Sequence, residues 1–509
     1  MEPQKTLREY QLVDLAFSMA RERGANLSDP GCGKTPPTCV WFYWLWQHKQ
    51  TRSFWVMPKS LLTKNRKELL QFTTFAPEDV VIYDGTPAQR AKIRKNSRAK
   101  VWLMGFRRYA DEWRDLMRLH SDFKGLGVDE IHLGFGGFSS KQTQEFLASM
   151  NKIKHFLPMT GTLINGRLDS AYPTISAIDP RYYSSYEHFL AVHAVKDLDG
   201  RIVAWRNHDH LAKIMSQIAI RRAFSEVYGK NEIVTLVEEI DMSPKQYEVY
   251  KEWEESAVLE LDDRFLDAPN QGVAAIRARQ ILAHPEDVEL PCEWDKETGK
   301  PVAWQTYNLV GNELTGKDER LLIDLADHKN TGKPLIIFGV FQKELDRVAA
   351  LCRKQGFRVG LIHGGIPQKQ RDIAAQAFEN GQLDIMVGSY KTCGVGYNWQ
   401  FWNGIEVDHI ICLSLDYQDS AFLQARRRAE RDTRQTPLRV SIYKYADSKV
   451  EDRVIEIVER KSADATKVDP TNEQIILTER QRKRDAAAPP PPPTQKQKLS
   501  GKPSMFQFL

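Results

Sequence analysis

The residues from Leu27 to Thr35, Leu-Ser-Asp-Pro-Gly-Cys-Gly-Lys-Thr, are of the types that hold a chain of phosphates. Gly31 and Gly33 lack a Cβ, so backbone N–H groups can close on phosphate oxygens, and a helix starting here turns its positive amino end toward the same charge. Lys34 would reach the β- and γ-phosphates of ATP, while the Thr35 hydroxyl would ligate Mg2+. The stretch departs from the strict Gly-x-x-x-x-Gly-Lys-Ser/Thr pattern only at Ser28, which stands at the first glycine position. Pro36 and Pro37 suit the first turn of the helix, where no backbone donor is needed. Farther along, the apolar run Leu126-Gly127-Val128 ends in Asp129-Glu130. Asp129 would hold Mg2+ through water, and Glu130 would polarise an attacking water.

Such groups need rigid supports, and the chain supplies two series of them. From Leu7 to about Asp179, short β-rich runs alternate with helical patterns: Phe54 to Met57, Val101 to Met104, Leu126 to Val128 and His155 to Leu157. A second series begins near Pro334, with Leu335 to Phe338, Val359 to Ile362, Ile385 to Val387 and His409 to Leu413. Alternating strands and helices imply a parallel sheet covered on both faces, so the expected fold class is α/β with two tandem lobes. Between them, residues 181–332 read as charged and helical, with little strand signal. The expected units are residues 1–185, a helical insertion or connector over 186–332, residues 333–463, and a flexible basic, proline-rich tail over 464–509.

Composition narrows the possibilities. At 509 residues, about three domain-sized units are expected. Hydrophobic residues at 41 % and charged residues at 27 % exclude wholesale disorder and fibrous architectures. The net charge of +5 permits a polyanionic partner without requiring one. Six scattered cysteines do not make a disulfide framework, which implies a reducing compartment. No run of about 18 apolar residues is present, so export and membrane spanning are not expected. The aromatic stretch Trp41 to Trp46 reads as core packing of the helix after the glycine loop.

The order of motifs resembles helicase superfamily two and, within it, the Swi/Snf-type (SNF-family) DNA-dependent ATPases and translocases. The resemblance runs from Leu7 to about Ala463 and implies two RecA-like lobes. Leu7-Arg8-Glu9-Tyr10-Gln11 looks like the opening motif, which implies that Gln11 reads adenine. Val56-Met57-Pro58-Lys59-Ser60-Leu61, Val81 to Gly85 and Met104 to Arg107 fall where strand-contacting motifs belong. Asp129-Glu130-Ile131-His132 is similar to a DEAH box, and Thr160-Gly161-Thr162 to the motif that couples nucleotide and strand. Ile220-Arg221-Arg222, Met242 to Gln246 and Ile281 to Pro285 resemble segments found in Swi/Snf proteins. Gly394-Val395-Gly396-Tyr397-Asn398 resembles a motif that meets strand and nucleotide, implying a nucleotide contact at Gly396. Gln424 to Arg431 resembles the helix that carries the arginine fingers, here Arg428 and Arg431. Helical positions three apart share a face, so both guanidinium groups could meet one γ-phosphate, with Arg426 and Arg427 turned outward. Glu430 stands where the family has a histidine, and Tyr390-Lys391 where it has a Thr-Arg pair.

The resemblance implies ATP and Mg2+ as cofactors and duplex or branched DNA as partner. Lys59, Ser60 and Gly85 in one lobe and Lys391, Thr392 and Asn398 in the other are the candidate strand contacts. Thr160, Thr162 and Gln424 are the candidate coupling residues. The expected activity is ATP-driven translocation on duplex DNA in replication, recombination or repair. Alternatives are a motor acting on RNA polymerase or RNA, and a silent DNA-binding scaffold. The apolar end Ser504 to Leu509 after a polar spacer suggests docking of residues 503–509 to a sliding clamp or a single-strand-binding protein. A monomer is expected, in the cytoplasm of a bacterial or phage-infected cell, or in the nucleus if the source is eukaryotic.

Overall fold

The computed structural model describes residues 5–469 and 474–477, apart from 165, 261–264, 268–270, 296–297, 299–300, 395 and 431–432. The first sheet is built from β1 (Ala25–Asn26), β2 (Arg52–Met57), β3 (Val80–Ile82), β4 (Val101–Gly105), β5 (Phe123–Asp129) and β6 (His155–Met159). A small hairpin, β7 (Ala194–Lys196) and β8 (Ile202–Trp205), precedes β9 (Ala219–Ile220), which adds to the edge of that sheet. Its order is β3-β4-β2-β5-β6-β1-β9, and every pairing is parallel. The strands are apolar on both sides because helices cover both faces. On β2, Phe54 and Val56 enter one core cluster while Trp55 and Met57 enter the other, with Trp41 and Phe42.

The second sheet joins β10 (Ile233–Ile240) to strands far along the chain. The hairpins β11 (Val258–Glu260) with β12 (Phe265–Asp267) and β13 (Val288–Trp294) with β14 (Pro301–Tyr307) intervene. Then follow β15 (Leu335–Gly339), β16 (Val359–Ile362), β17 (Ile385–Ser389), the short pair β18 (Phe401–Trp402) and β19 (Ile405–Glu406), β20 (His409–Cys412) and β21 (Leu438–Tyr445). The order β10-β21-β20-β15-β17-β16 is again wholly parallel. Two α/β lobes with parallel sheets are thus present, the fold class expected.

Two expectations are corrected here. The segment 186–332 is not a uniformly helical unit standing between the lobes. Its first part packs into the core of the first lobe through Phe189, Leu211, Ile214 and Ile218. Its later part packs into the second lobe through Tyr250, Trp253, Ile281 and Leu321, and β10 is an edge strand there. Nor does the ordered chain end at 463. The helix Lys449–Val468 places Val454, Ile455 and Val458 in the core of the second lobe and Ala465 and Val468 in that of the first. Ile475 and Leu477 are buried beside it. Residues 478–509, including the expected docking segment 503–509, lie outside the described residues. Among the described residues, no helix is long and apolar enough to cross a membrane.

Candidate ATP site and its link between the lobes

β1 ends at Asn26, whose Oδ1 accepts from the Ser28 N–H at 3.1 Å and turns the chain into the glycine loop. Gly31 and Gly33 adopt φ values of 94° and 64°, the left-handed region where a side chain is strained. A Cβ on Gly33 would lie 2.6 Å from Gln11 Nε2. The helix Thr35–Lys49 starts at the end of the loop. The Lys34 ammonium is buried and donates to the carbonyls of Ser28 (2.7 Å) and Asp29 (3.1 Å). Gln11 donates to the Gly33 carbonyl at 2.9 Å and accepts from the Arg8 N–H at 2.9 Å, so both ends of its amide hold backbone next to the loop.

The arginine pair recognised in the sequence braces the same loop. Arg221 donates to Leu27 O, to Asp29 Oδ1 at 2.9 Å, and pairs with Asp469 just past the long C-terminal helix. Arg222 reaches Asp14 Oδ1 at 2.7 Å and the Tyr10 carbonyl at 3.2 Å. Asp469 and Tyr228, whose hydroxyl donates to Gly31 O at 3.3 Å, carried no sequence signal.

Asp129 closes β5 in the neighbouring part of the sheet. Its carboxylate accepts from Asn65 Nδ2 at 3.2 Å and from the Glu130 N–H at 3.1 Å. Burial and the adjacent Glu130 push its pKa up to about 6. Glu130 sits at φ 49°, ψ 49°, a left-handed conformation that costs a non-glycine residue about 1–2 kcal/mol. His132 is buried and neutral, its pKa pushed down to about 3 by burial and by Lys34. Its Nδ1 lies 2.8 Å from the Thr160 hydroxyl, which donates to Glu130 Oε2 at 3.3 Å and accepts from the Thr162 N–H at 3.0 Å. Gln424 of the second lobe then donates to the Thr162 hydroxyl at 3.2 Å. A hydrogen-bonded chain therefore runs from Glu130 through Thr160 and Thr162 to the other lobe.

Arg428 does not lie on the helix as expected. That helix spans Asp419–Arg426, and Arg428 occupies the turn beyond it. There it is buried, donating to the carbonyls of Gln424 (3.0 Å), Tyr397 (3.0 Å) and Gly394 (2.7 Å). Arg431 lies outside the described residues. Arg426 and Arg427 are also corrected: both are buried, and both pair with Glu430, at 3.5 and 2.8 Å. Arg427 further stacks over the Phe224 ring at 4.3 Å. The carboxylate at the family's histidine position thus neutralises two buried guanidinium groups.

These groups converge. Gly31, Gly33, Lys34, Thr35, Asp129 and Glu130 of the first lobe line one cavity of about 260 Å3 with Gly396 and Arg428 of the second. Lys64 bridges its mouth by donating to the Gly396 carbonyl at 3.3 Å. The oxygen donors of Thr35 and Asp129 suit a hard cation such as Mg2+. No cluster of three or more His, Cys, Asp or Glu able to hold a metal occurs among the described residues.

The candidate strand contacts lie outside this cavity. Lys59 and Ser60 form a short turn after β2, and the exposed Lys59 ammonium pairs with Asp84 at 3.1 Å beside Gly85, which has φ 97°. Lys391 and Thr392 sit in the one-turn helix Tyr390–Cys393 after β17, and Asn398 is exposed farther along the same lobe.

Comparison with known proteins agrees with this arrangement. The family profile of the SNF2-related domain matches residues 10–286, and that of the helicase conserved C-terminal domain matches residues 317–433. The chain is 26 % identical over 463 residues to the Chromodomain-helicase-DNA-binding protein 1-like of Danio rerio, covering 85 % of this chain and 41 % of that protein. It is 24 % identical over 477 residues to the SWI/SNF-related matrix-associated actin-dependent regulator of chromatin subfamily A member 1 of Mus musculus, covering 89 % and 42 %. It spans about two fifths of the length of each of these relatives. Among solved structures, the Sulfolobus solfataricus SWI2/SNF2 ATPase core in complex with dsDNA aligns over 94 % of this chain and 99 % of that one, at 18 % identity and a TM-score of 0.40. Since the first profile alone covers more than half of the 509 residues, the chain belongs to the SNF2-related family of helicase superfamily two.

Proposed function

We propose that this chain is an ATP-hydrolysing motor that translocates on duplex DNA and remodels protein–DNA complexes or branched DNA in replication, recombination or repair. The observation that carries the reading is the shared cavity, in which Lys34, Asp129 and Glu130 of one lobe face Arg428 of the other. In this reading Lys34 and the loop N–H groups hold the triphosphate, Thr35 and Asp129 hold Mg2+, and Glu130 orients the attacking water. Arg428 leaves its carbonyl partners to meet the γ-phosphate as the lobes close, and the Thr162–Gln424 bond passes that closure between the lobes. Lys59, Ser60, Gly85, Lys391, Thr392 and Asn398 grip the strand, so that relative movement of the lobes advances it.

The test is ATP hydrolysis without nucleic acid and with duplex, single-stranded, forked DNA or RNA, using Lys34→Ala as control, together with displacement of a third strand from a DNA triplex. Stimulation by duplex DNA and ATP-dependent triplex displacement are expected. Stimulation by RNA alone, or by no nucleic acid, overturns the reading.

A further inference from the structure

β5, β6 and β1 lie side by side, and their carboxyl ends carry Asp129, Thr160 and the glycine loop. Their amino ends open on the opposite side of the lobe into a separate concavity of about 790 Å3. β5 has seven residues, so roughly 20 Å of sheet separates this basin from the ATP cleft. Six cations line it: Arg21 and Arg23 before β1, Lys124 in β5, Lys152 and Lys154 before β6, and Arg181. Only two carboxylates, Glu22 and Asp179, share the wall.

The neutralisation is incomplete. Lys154 pairs with Glu22 at 3.1 Å and Arg181 with Asp179 at 2.7 Å, while Arg23 is occupied by the carbonyls of Met150, Ile153 and Ala177. Arg21 lies over the Phe17 ring at 4.3 Å, and among the described residues neither it nor Lys124 nor Lys152 has a carboxylate partner. Tyr182 lines the same basin, its ring steadied by a 2.8 Å hydrogen bond from its hydroxyl to Gln217 Oε1.

We propose that this basin is a second nucleic-acid site, built for a short stretch of single strand and distinct from the motor's track. Unpaired cations from three chain segments match a row of phosphates, and an aromatic ring among them offers a surface on which a base can stack. An unpaired strand can lay a splayed base on the ring, whereas a duplex keeps its bases stacked inside and leaves the ring unused. An acidic peptide satisfies the charge and leaves the ring unused.

The test uses the full chain without ATP and a fluorescein-labelled oligo(dT), read by anisotropy over a range of salt. Excess unlabelled hairpin duplex occupies the motor's track, and inorganic polyphosphate and polyglutamate serve as competitors. Binding that survives the duplex is expected. Joint replacement of Arg21, Lys124 and Lys152 by Ala should lower the slope of log affinity against log salt by about 2, because each single-strand phosphate contact contributes about 0.7. Tyr182→Ala should weaken binding about 10-fold, and Tyr182→Phe, which keeps the ring and loses only the bond to Gln217, should retain most of it. Complete competition by the duplex, an unchanged salt slope, or equal displacement by polyglutamate with no effect of Tyr182→Ala each overturns the proposal. The two sites share no residue. Absence of duplex-resistant oligo(dT) binding by the unmodified protein, with duplex-stimulated hydrolysis intact, therefore sinks the basin alone, and such binding without duplex-stimulated hydrolysis sinks the motor alone.

Discussion

Asp129→Asn is expected to make the unliganded protein more stable while abolishing ATP hydrolysis. Folding raises the pKa of this carboxyl from 3.8 to about 6, so the folded chain binds its proton more tightly than the unfolded chain does. Stability therefore falls as pH rises from about 4 to about 6, and the full penalty is present above that window. Two pKa units correspond to about 3 kcal/mol at pH 8, and the penalty is about half as large at pH 5. Asparagine removes the charge and keeps the contacts: its oxygen accepts from the Glu130 N–H, and its amide donates to Asn65 once that side chain flips. For a cooperative unit of 150–250 residues the gain is roughly 6–12 °C at pH 8. The assay is thermal melting of both proteins at pH 8 and pH 5, with and without Mg-ATP. The parent should recover stability on binding Mg-ATP, because a bound cation favours the carboxylate, and the variant should not. No gain at pH 8, or an equal gain at both pH values, refutes the argument that the site stores unfavourable charge.

Other perturbations separate the remaining parts. Gln424→Ala removes the bond to Thr162 and should lower duplex-stimulated kcat about 3- to 10-fold with ATP affinity unchanged, as read by steady-state kinetics and nucleotide titration. Arg428→Lys should not rescue the loss seen in Arg428→Ala, about 10³-fold or more in kcat, because an ammonium lacks the planar fork of donors with which a guanidinium meets phosphate oxygens. Arg221→Ala leaves Asp29 and Asp469 without their guanidinium and should destabilise the protein by about 1–3 kcal/mol, with faster hydrogen exchange at the end of the helix Lys449–Val468. In the second lobe, His328 and His409 meet at 2.8 Å, and burial drives the pKa of His409 from 6.5 to about 3. Both are neutral when folded, so stability present above pH 6.5 is lost below it, about 2 kcal/mol at pH 5 from His409 alone. His409→Asn should remove that slope in urea titrations.

The parts of the fold and site legible in the sequence are those whose chemistry is local. The glycine loop, the Asp129-Glu130 pair and the strand cores announce themselves because a few adjacent residues carry the signal. Features made by distant partners were not legible. Ile233 to Ile240 is rich in β-branched residues, yet its place in the second sheet depends on parallel pairing with Leu438 to Tyr445, which only the folded chain brings alongside. Ile475-Ile476-Leu477 is a three-residue apolar run in a polar stretch, too short to carry a periodicity, and Ile475 and Leu477 are buried because the long C-terminal helix offers them a surface. Arg426 and Arg427 resemble a solvated charge run; Glu430 supplies the counter-charge that lets them enter the interior.

The cations of the candidate site share a property that bears on how it could turn over. Lys34 rests on two carbonyls of its own loop, and Arg428 on three carbonyls of its own lobe. Neither waits unsolvated for phosphate; each must exchange neutral oxygens for charged ones. That exchange is favourable, because hydrogen bonds to ionised acceptors are roughly twice as strong as those to neutral ones, and it leaves loop carbonyls to be satisfied elsewhere. For Lys34 the cost falls on Ser28 and Asp29, and Asp29 is held independently by Arg221 and by the Phe224 N–H at 2.9 Å. For Arg428 it falls on Gly394 and Tyr397, in the segment that presents Gly396 to the same cavity. Withdrawal of Arg428 toward a γ-phosphate would thus loosen the segment leading to Asn398, one of the proposed strand contacts. A single bond exchange would then link nucleotide state to grip on the strand, while Arg221 at the start of the loop and Gln11 at Gly33 hold the first lobe's side of the site in place.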